Sequence, residues 1–181
     1  MNTIKLKWLI FLLCSYFCVN TSFAASADEI DIRVNATIDI FNERVKEGRE
    51  FLANAKGILV FPNIVKAGFF IGGEFGEGAL KINDETVSYY RTTGASFGFQ
   101  IGAQTKSVII VFLDNEALRK FRTSAGWEAG VDGSIAIADT GAGGSFDTTN
   151  LSDPIVAFAF GNKGLMFNVT LEGTKYTKIK K

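Results

Sequence analysis

Between residues 28 and 54 the apolar positions Ile30, Val34, Ile38, Phe41, Val45 and Leu52 recur at steps of three, four and seven, with Arg33, Glu43, Arg44, Lys46, Glu47, Arg49 and Glu50 between them. That period puts the two sets on opposite sides of a helix. The spacing predicts one amphipathic helix over 28–54, weakened in its last turns by Gly48. Two destinations are open to its apolar stripe, the chain's own sheet or a membrane surface.

Beyond residue 55 the period becomes two. The stretch AKGILVFPNIVKAGFFIGGEFGEGAL over 55–80 begins as a β-branched and aromatic run, and Pro62-Asn63 predicts a turn in it. It resumes with Gly68, Gly72, Gly73, Gly76 and Gly78 inside strand-like sequence, where the backbone must bend, bulge or be approached closely. Asn83-Asp84 then predicts the turn of a hairpin whose second arm is 86–92. In 95–102 Ala95, Phe97, Phe99 and Ile101 share one face, with Ser96, Gly98, Gln100 and Gly102 on the other.

The run VIIVFL over 108–113 lacks polar alternation and reads as a strand buried on both faces. Asp114 is placed to cap a helix over 115–123, with Leu118 and Phe121 inward and Arg119, Lys120 and Arg122 projecting near its end. A strand over 126–138 would carry Trp127, Ala129, Val131, Ile135 and Ile137 on one face, followed by a glycine-rich loop at 139–146. A second hairpin joins 155–160 to 165–171 through Gly161-Asn162-Lys163-Gly164, and 173–181 ends in a tail with Lys175, Lys178, Lys180 and Lys181. These elements predict an α+β fold: an N-terminal amphipathic helix plus a curved, mainly antiparallel β-sheet or partly closed barrel with one further helix. An outer-membrane barrel is the structural alternative, opposed by the buried run, the two helices and the lysine-rich C-terminus.

At 181 residues the chain suits one domain. Residues 1–24 have the form of a secretory signal peptide: Lys5 and Lys7, an apolar run over 8–19, and Ser22-Phe23-Ala24 before the cleavage point. The expected organisation is signal peptide 1–24, helix 25–54 and β-rich core 55–181, with a periplasmic or secreted product. Leu13 and Phe17, which precede Cys14 and Cys18, do not suit lipidation, so no lipoprotein is expected. Cleavage removes both cysteines and takes 19 basic residues to 17 against 19 acidic, a net charge of −2, which argues against nucleic acid as partner.

With no histidine in the chain, thiolate and serine–histidine nucleophiles and Cys/His zinc sites are excluded from the mature protein. Asp139-Thr140-Gly141-Ala142 resembles the catalytic tetrapeptide of aspartic proteases, but the second aspartate that such chemistry requires has no counterpart motif. The glycine loops lack phosphate-loop lysine spacing, and Asp132, Asp139 and Asp147 match no calcium-loop pattern. No enzyme activity, cofactor or metal is expected.

The ordered blocks 55–80, YYRTTGASFGFQIGAQTKSVIIVFLDNEALRKF, WEAGVDGSIAIADTGAGGSFDTT and GLMFNVTLEGTKYTKI resemble the SYLF-domain family over about 35–180. Eukaryotic members of that family bind phosphoinositides and, in yeast, actin filaments. The resemblance implies a non-enzymatic lipid-binding module acting through the amphipathic helix and nearby basic residues, here Arg44, Lys46, Arg49, Lys56 and Lys66. Arg119, Lys120 and Arg122 are further candidates for the same surface, with the 55–80 stretch as hinge between helix and scaffold. Export would take the chain away from actin, which makes anionic phospholipid at a peripheral membrane surface the expected partner. An envelope structural or protein-interaction module is the alternative.

Overall fold

The computed structural model describes residues 25–45, 48–138, 153–161, 164–165 and 170–181. Helices α1 (Ala27–Arg44) and α2 (Gly48–Ala53) precede a hairpin of two very long strands, β1 (Gly57–Ile82) and β2 (Glu85–Phe112). Helix α3 (Asn115–Thr123) follows, then β3 (Trp127–Glu128), β4 (Ala136–Ile137), β5 (Ile155–Gly161), β6 (Gly164–Leu165) and β7 (Lys175–Ile179). The architecture is α+β, a half-barrel of mostly antiparallel strands with helices packed on it.

Strand β2 organises the sheet. One edge pairs with β1 along its length, while the other is shared by β7 at 89–93 and β5 at 107–112. Strand β4 joins β5 in parallel, and β3 extends the sheet beyond β7. A straight 26-residue strand would run about 85 Å, far beyond the roughly 30 Å width of a small domain, so the hairpin has to coil. Its register slips between Phe61 and Ile64, Gly68 and Phe70, and Leu80 and Lys81. At the first slip Pro62 and Asn63 together face Ser107, whose hydroxyl donates to the Pro62 carbonyl at 2.6 Å.

The expected turn at Pro62-Asn63 is therefore a β-bulge inside a continuous strand, and 55–80 is the scaffold itself rather than a hinge. The coil brings β1 across itself. A Cβ on Gly78 would overlap the Val60 carbonyl oxygen, and one on Gly76 would lie 2.8 Å from the Asn63 oxygen. The turn at Asn83-Asp84 forms as expected, both residues taking positive φ (51° and 64°), the pattern of a type I′ hairpin.

Two apolar clusters lie on opposite faces of the sheet. Inside the roll, Leu59, Phe61, Leu80, Val108, Ile110 and Phe112 pack with Leu118 and Phe121 of α3 and with Trp127 and Tyr176. On the outer face Val60, Ile109, Val111, Val156 and Phe158 are covered by Ile30, Val34, Phe41, Val45 and Leu52. Residues 108–112 contribute to both clusters in alternation, which is why their sequence shows none. An apolar interior and a helix over the outer apolar face form a core, opposite to the polar lumen and lipid-facing exterior of a membrane barrel.

The 28–54 helix divides. Val45 is extended (φ −104°, ψ 111°) after α1, and Gly48 opens α2 so close to Phe41 that a Cβ would lie 2.9 Å from its ring. The break lets Leu52 settle on the sheet. Asp114 caps α3 as expected, its carboxylate accepting from the Ala117 N–H at 2.9 Å, and Leu118 and Phe121 are buried. The single strand expected over 126–138 is instead two short ones around a turn in which Gly130 takes φ 85°, leaving Val131 73% exposed. The expected basic tail is β7, with Tyr176 buried between Lys175 and Lys178. Of the second hairpin β5 and β6 are described, joined by the pair Gly161 and Gly164. The signal peptide and the 139–146 loop lie outside the described residues, as do Asp147 and Lys46.

Candidate functional site

The cations singled out in the sequence separate into an outer group and an inner one. Arg44 at the end of α1 is exposed and its guanidinium donates to the Gly161 carbonyl at 3.2 Å, tying the helix to the end of β5. Arg49 of α2 and Lys56 are also exposed and form no ion pair with a described residue. The Lys56 backbone N–H donates to the Phe112 carbonyl at 2.7 Å, which puts Lys56 beside the start of α3. On α3, Glu116 takes both Arg119 (2.5 Å and 2.9 Å) and Lys120 (3.9 Å), while Arg122 is exposed and forms no ion pair with a described residue. Hydrogen bonding from Arg119 first, and then its charge and that of Lys120, hold the Glu116 carboxyl below its ordinary range. Arg119 and Lys120 are thus partly neutralised within their own helix.

Lys66 stands apart from this group. It lies on the inner face of β1, on the same side as Ile64, and shares Glu74 (3.9 Å) with Lys106 (2.7 Å). Lys106 is the more enclosed, its side chain 10% exposed against 24% for Lys66. Neither Lys106 nor Glu74 was singled out from the sequence. The signal was there in Lys106, which has the same parity as Val108 and Ile110 and so points inward with them.

A second three-charge cluster occupies the outer face, where Glu77 of β1 and Arg91 of β2 are register partners. Glu77 accepts from Arg91 at 3.2 Å and from Lys181 at 2.6 Å, and Lys181 also donates to the Ala25 carbonyl at 2.8 Å. Burial pushes the Glu77 carboxyl up, but the hydrogen bonds and charges of Lys181 and Arg91 outweigh it and hold the group below its ordinary value. Beside it a groove of 460 Å³ is lined by Ile30, Arg33, Pro62, Val65, Phe75 and Arg91, among others, with Arg91 5.3 Å from the centre of the Phe75 ring. The sequence offered no route to this cluster, because its members come from β1, β2 and the last residue of the chain.

Among the described residues no three His, Cys, Asp or Glu side chains are grouped to hold a metal ion, and no helix is long and apolar enough to cross a membrane. Asp139, the protease lookalike, lies outside the described residues, and Asp132 accepts from the Glu128 N–H at 2.7 Å within the 128–133 turn. What the geometry offers is charge: exposed cations around the helix pair, and two ammonium groups on one carboxylate inside the roll.

Residues 93–181 match the Ysc84 family, described as Las17-binding protein actin regulator. The chain is also 30% identical over 132 residues to an SH3 domain-containing protein of Schizosaccharomyces pombe, a match that covers 68% of the chain. It spans 30% of that protein's length.

Proposed function

Because the chain belongs to the SYLF (Ysc84) family through residues 93–181, a family of binding and regulatory modules, we propose that it is a lipid-binding module that holds anionic phospholipid at a membrane surface of the bacterial envelope. The single observation that carries the surface contact is the disposition of α1 and α2. Their apolar stripe is committed to the sheet, whereas Arg44 at the end of α1, Arg49 in the first turn of α2 and Lys56 just beyond it remain exposed. In this arrangement Ile30, Val34 and Phe41 do not enter the bilayer, and the contact is electrostatic and peripheral. Each cation near an anionic surface contributes about 1 kcal/mol. Residues 1–24 support export to the periplasm, which places envelope phospholipid within reach.

Co-sedimentation of the mature chain with vesicles tests this reading. Recovery on phosphatidylglycerol-containing vesicles should exceed recovery on phosphatidylcholine, fall in high salt, and drop about tenfold or more in the triple variant Arg44→Glu, Arg49→Glu, Lys56→Glu. Equal recovery on both vesicles, unchanged by salt, sinks it. The family description as a Las17-binding actin regulator favours a protein-interaction module as the second reading, for which a vesicle-independent complex in periplasmic pull-downs is the expected result.

A further inference from the structure

Inside the roll, the two ammonium groups of Lys66 and Lys106 share the one carboxylate of Glu74, whose side chain is 13% exposed. Among the described residues Glu74 is the one acid that pairs with either lysine. Lys106, 10% exposed, is largely withdrawn from water and Lys66, 24% exposed, partly so, and two cations in such surroundings are favoured when a further negative group meets them. Two hydroxyls close by are buried without a hydrogen-bond partner, Thr92 Oγ1 and Tyr176 Oη. Thr92 faces Tyr176 across β2 and β7, and it stands two residues from Gly94, the register partner of Glu74, on the same inner face. The charge of Glu74 reaches Tyr176, adding to burial in pushing that phenol up.

We infer that Lys66, Lys106, Thr92 and Tyr176 form a binding site for a phosphate group, with Glu74 setting the spacing of the two lysines. Four donors suit the several acceptor oxygens of a phosphate better than the two of a carboxylate, and its charge matches an excess of cations. The partly exposed Lys66 marks the side from which the group enters. This site is separate from the outer cations, since α1 and α2 cover the opposite face of the sheet. The phosphate can belong to a soluble ester or to a phospholipid headgroup.

Calorimetric titration of the mature chain with inorganic phosphate and with glycerol 3-phosphate, beside co-sedimentation with phosphatidic acid vesicles, separates the sources. A soluble ester is indicated by saturable binding of either small anion that weakens tenfold or more in Lys106→Met. A headgroup is indicated when only the vesicles respond to Lys106→Met. Glu74→Gln keeps both lysines and removes their competitor, so it should tighten binding several-fold and make the unfolding temperature rise with added phosphate. A structural ion pair predicts the reverse, a destabilised protein that phosphate does not rescue. The inference is overturned if none of the three probes is sensitive to Lys106→Met in a folded variant, or if Glu74→Gln leaves affinity unchanged or weaker.

Discussion

Asp31, in the second turn of α1, accepts from the Thr86 hydroxyl at 2.9 Å and the Tyr89 phenol at 2.8 Å, while Lys81 donates to Asn35 at 2.6 Å. These bonds fasten the polar flank of the helix to the β1–β2 hairpin. Burial, then the hydrogen bond and charge of Asp31, push the Tyr89 phenol from 10.0 up to about 12. A phenol raised in the folded state contributes stability that is fully present below its unfolded value and is lost as pH rises through the folded one. Unfolding free energy should therefore fall between pH 10 and about 12, and Tyr89→Phe should flatten that part of the fall. The variant should also lose about 1 kcal/mol near neutral pH, as urea titrations across the range would show. A slope identical to the parent's between those pH values would place the linkage elsewhere. None of these five residues was a candidate from the sequence, because a hydrogen bond spanning 58 positions leaves no mark on local periodicity.

Among the elements, the β1–β2 hairpin shows most clearly what local pattern can and cannot convey. Asn83-Asp84 was legible because turn chemistry is local: both residues tolerate positive φ, and both adopt it. Pro62-Asn63 has the same kind of composition but sits where the chain coils, and there it makes a bulge with β2 still paired on either side. The glycines at 76 and 78 were read correctly as places of close approach, although the approaching group, β1's own earlier segment, was not foreseeable. Gly78→Ala should cost several kcal/mol, because the added methyl meets backbone that cannot move aside cheaply. Gly73→Ala, whose Cβ would lie 3.9 Å from the Gly94 oxygen, should cost less than about 1 kcal/mol. Comparable midpoints of thermal unfolding for the two variants would contradict the self-crossing of the strand.

At the scale of the whole molecule, the decisive relation is between α1 and the outer face of the sheet. Phe41 meets Phe158 edge-on at 4.8 Å and is buried, whereas Ile32 on the same helix is 70% exposed. Phe41→Ala should lose about 3–5 kcal/mol, and Ile32→Ala within about 0.5 kcal/mol of nothing. Vesicle binding then distinguishes a helix that works docked from one that must leave. If the helix acts docked, Phe41→Ala should not increase recovery on anionic vesicles; a marked gain would show that release of α1 exposes the membrane-binding face.

The candidate site was legible in part for a related reason. Exposed cations follow helix ends and can be counted along the chain, so the exposure of Arg44, Arg49 and Lys56 is legible there. The face of Lys66 depends on the bulge at Pro62-Asn63, and although parity turns Lys106 inward, its partner Glu74 lies on the other strand and is not legible locally.

By itself the sequence determined the periods and the punctuation: the amphipathic stripe, the doubly buried strand, the Asn83-Asp84 turn, the Asp114 cap. Each of these depends on neighbours a few residues away. Only the tertiary structure decided that α1 lies on the sheet, that β7 completes it, and that Lys66 and Lys106 converge on Glu74 inside the roll. Those outcomes follow from how two strands of 26 and 28 residues coil, and the coil is set by contacts between segments far apart in the chain.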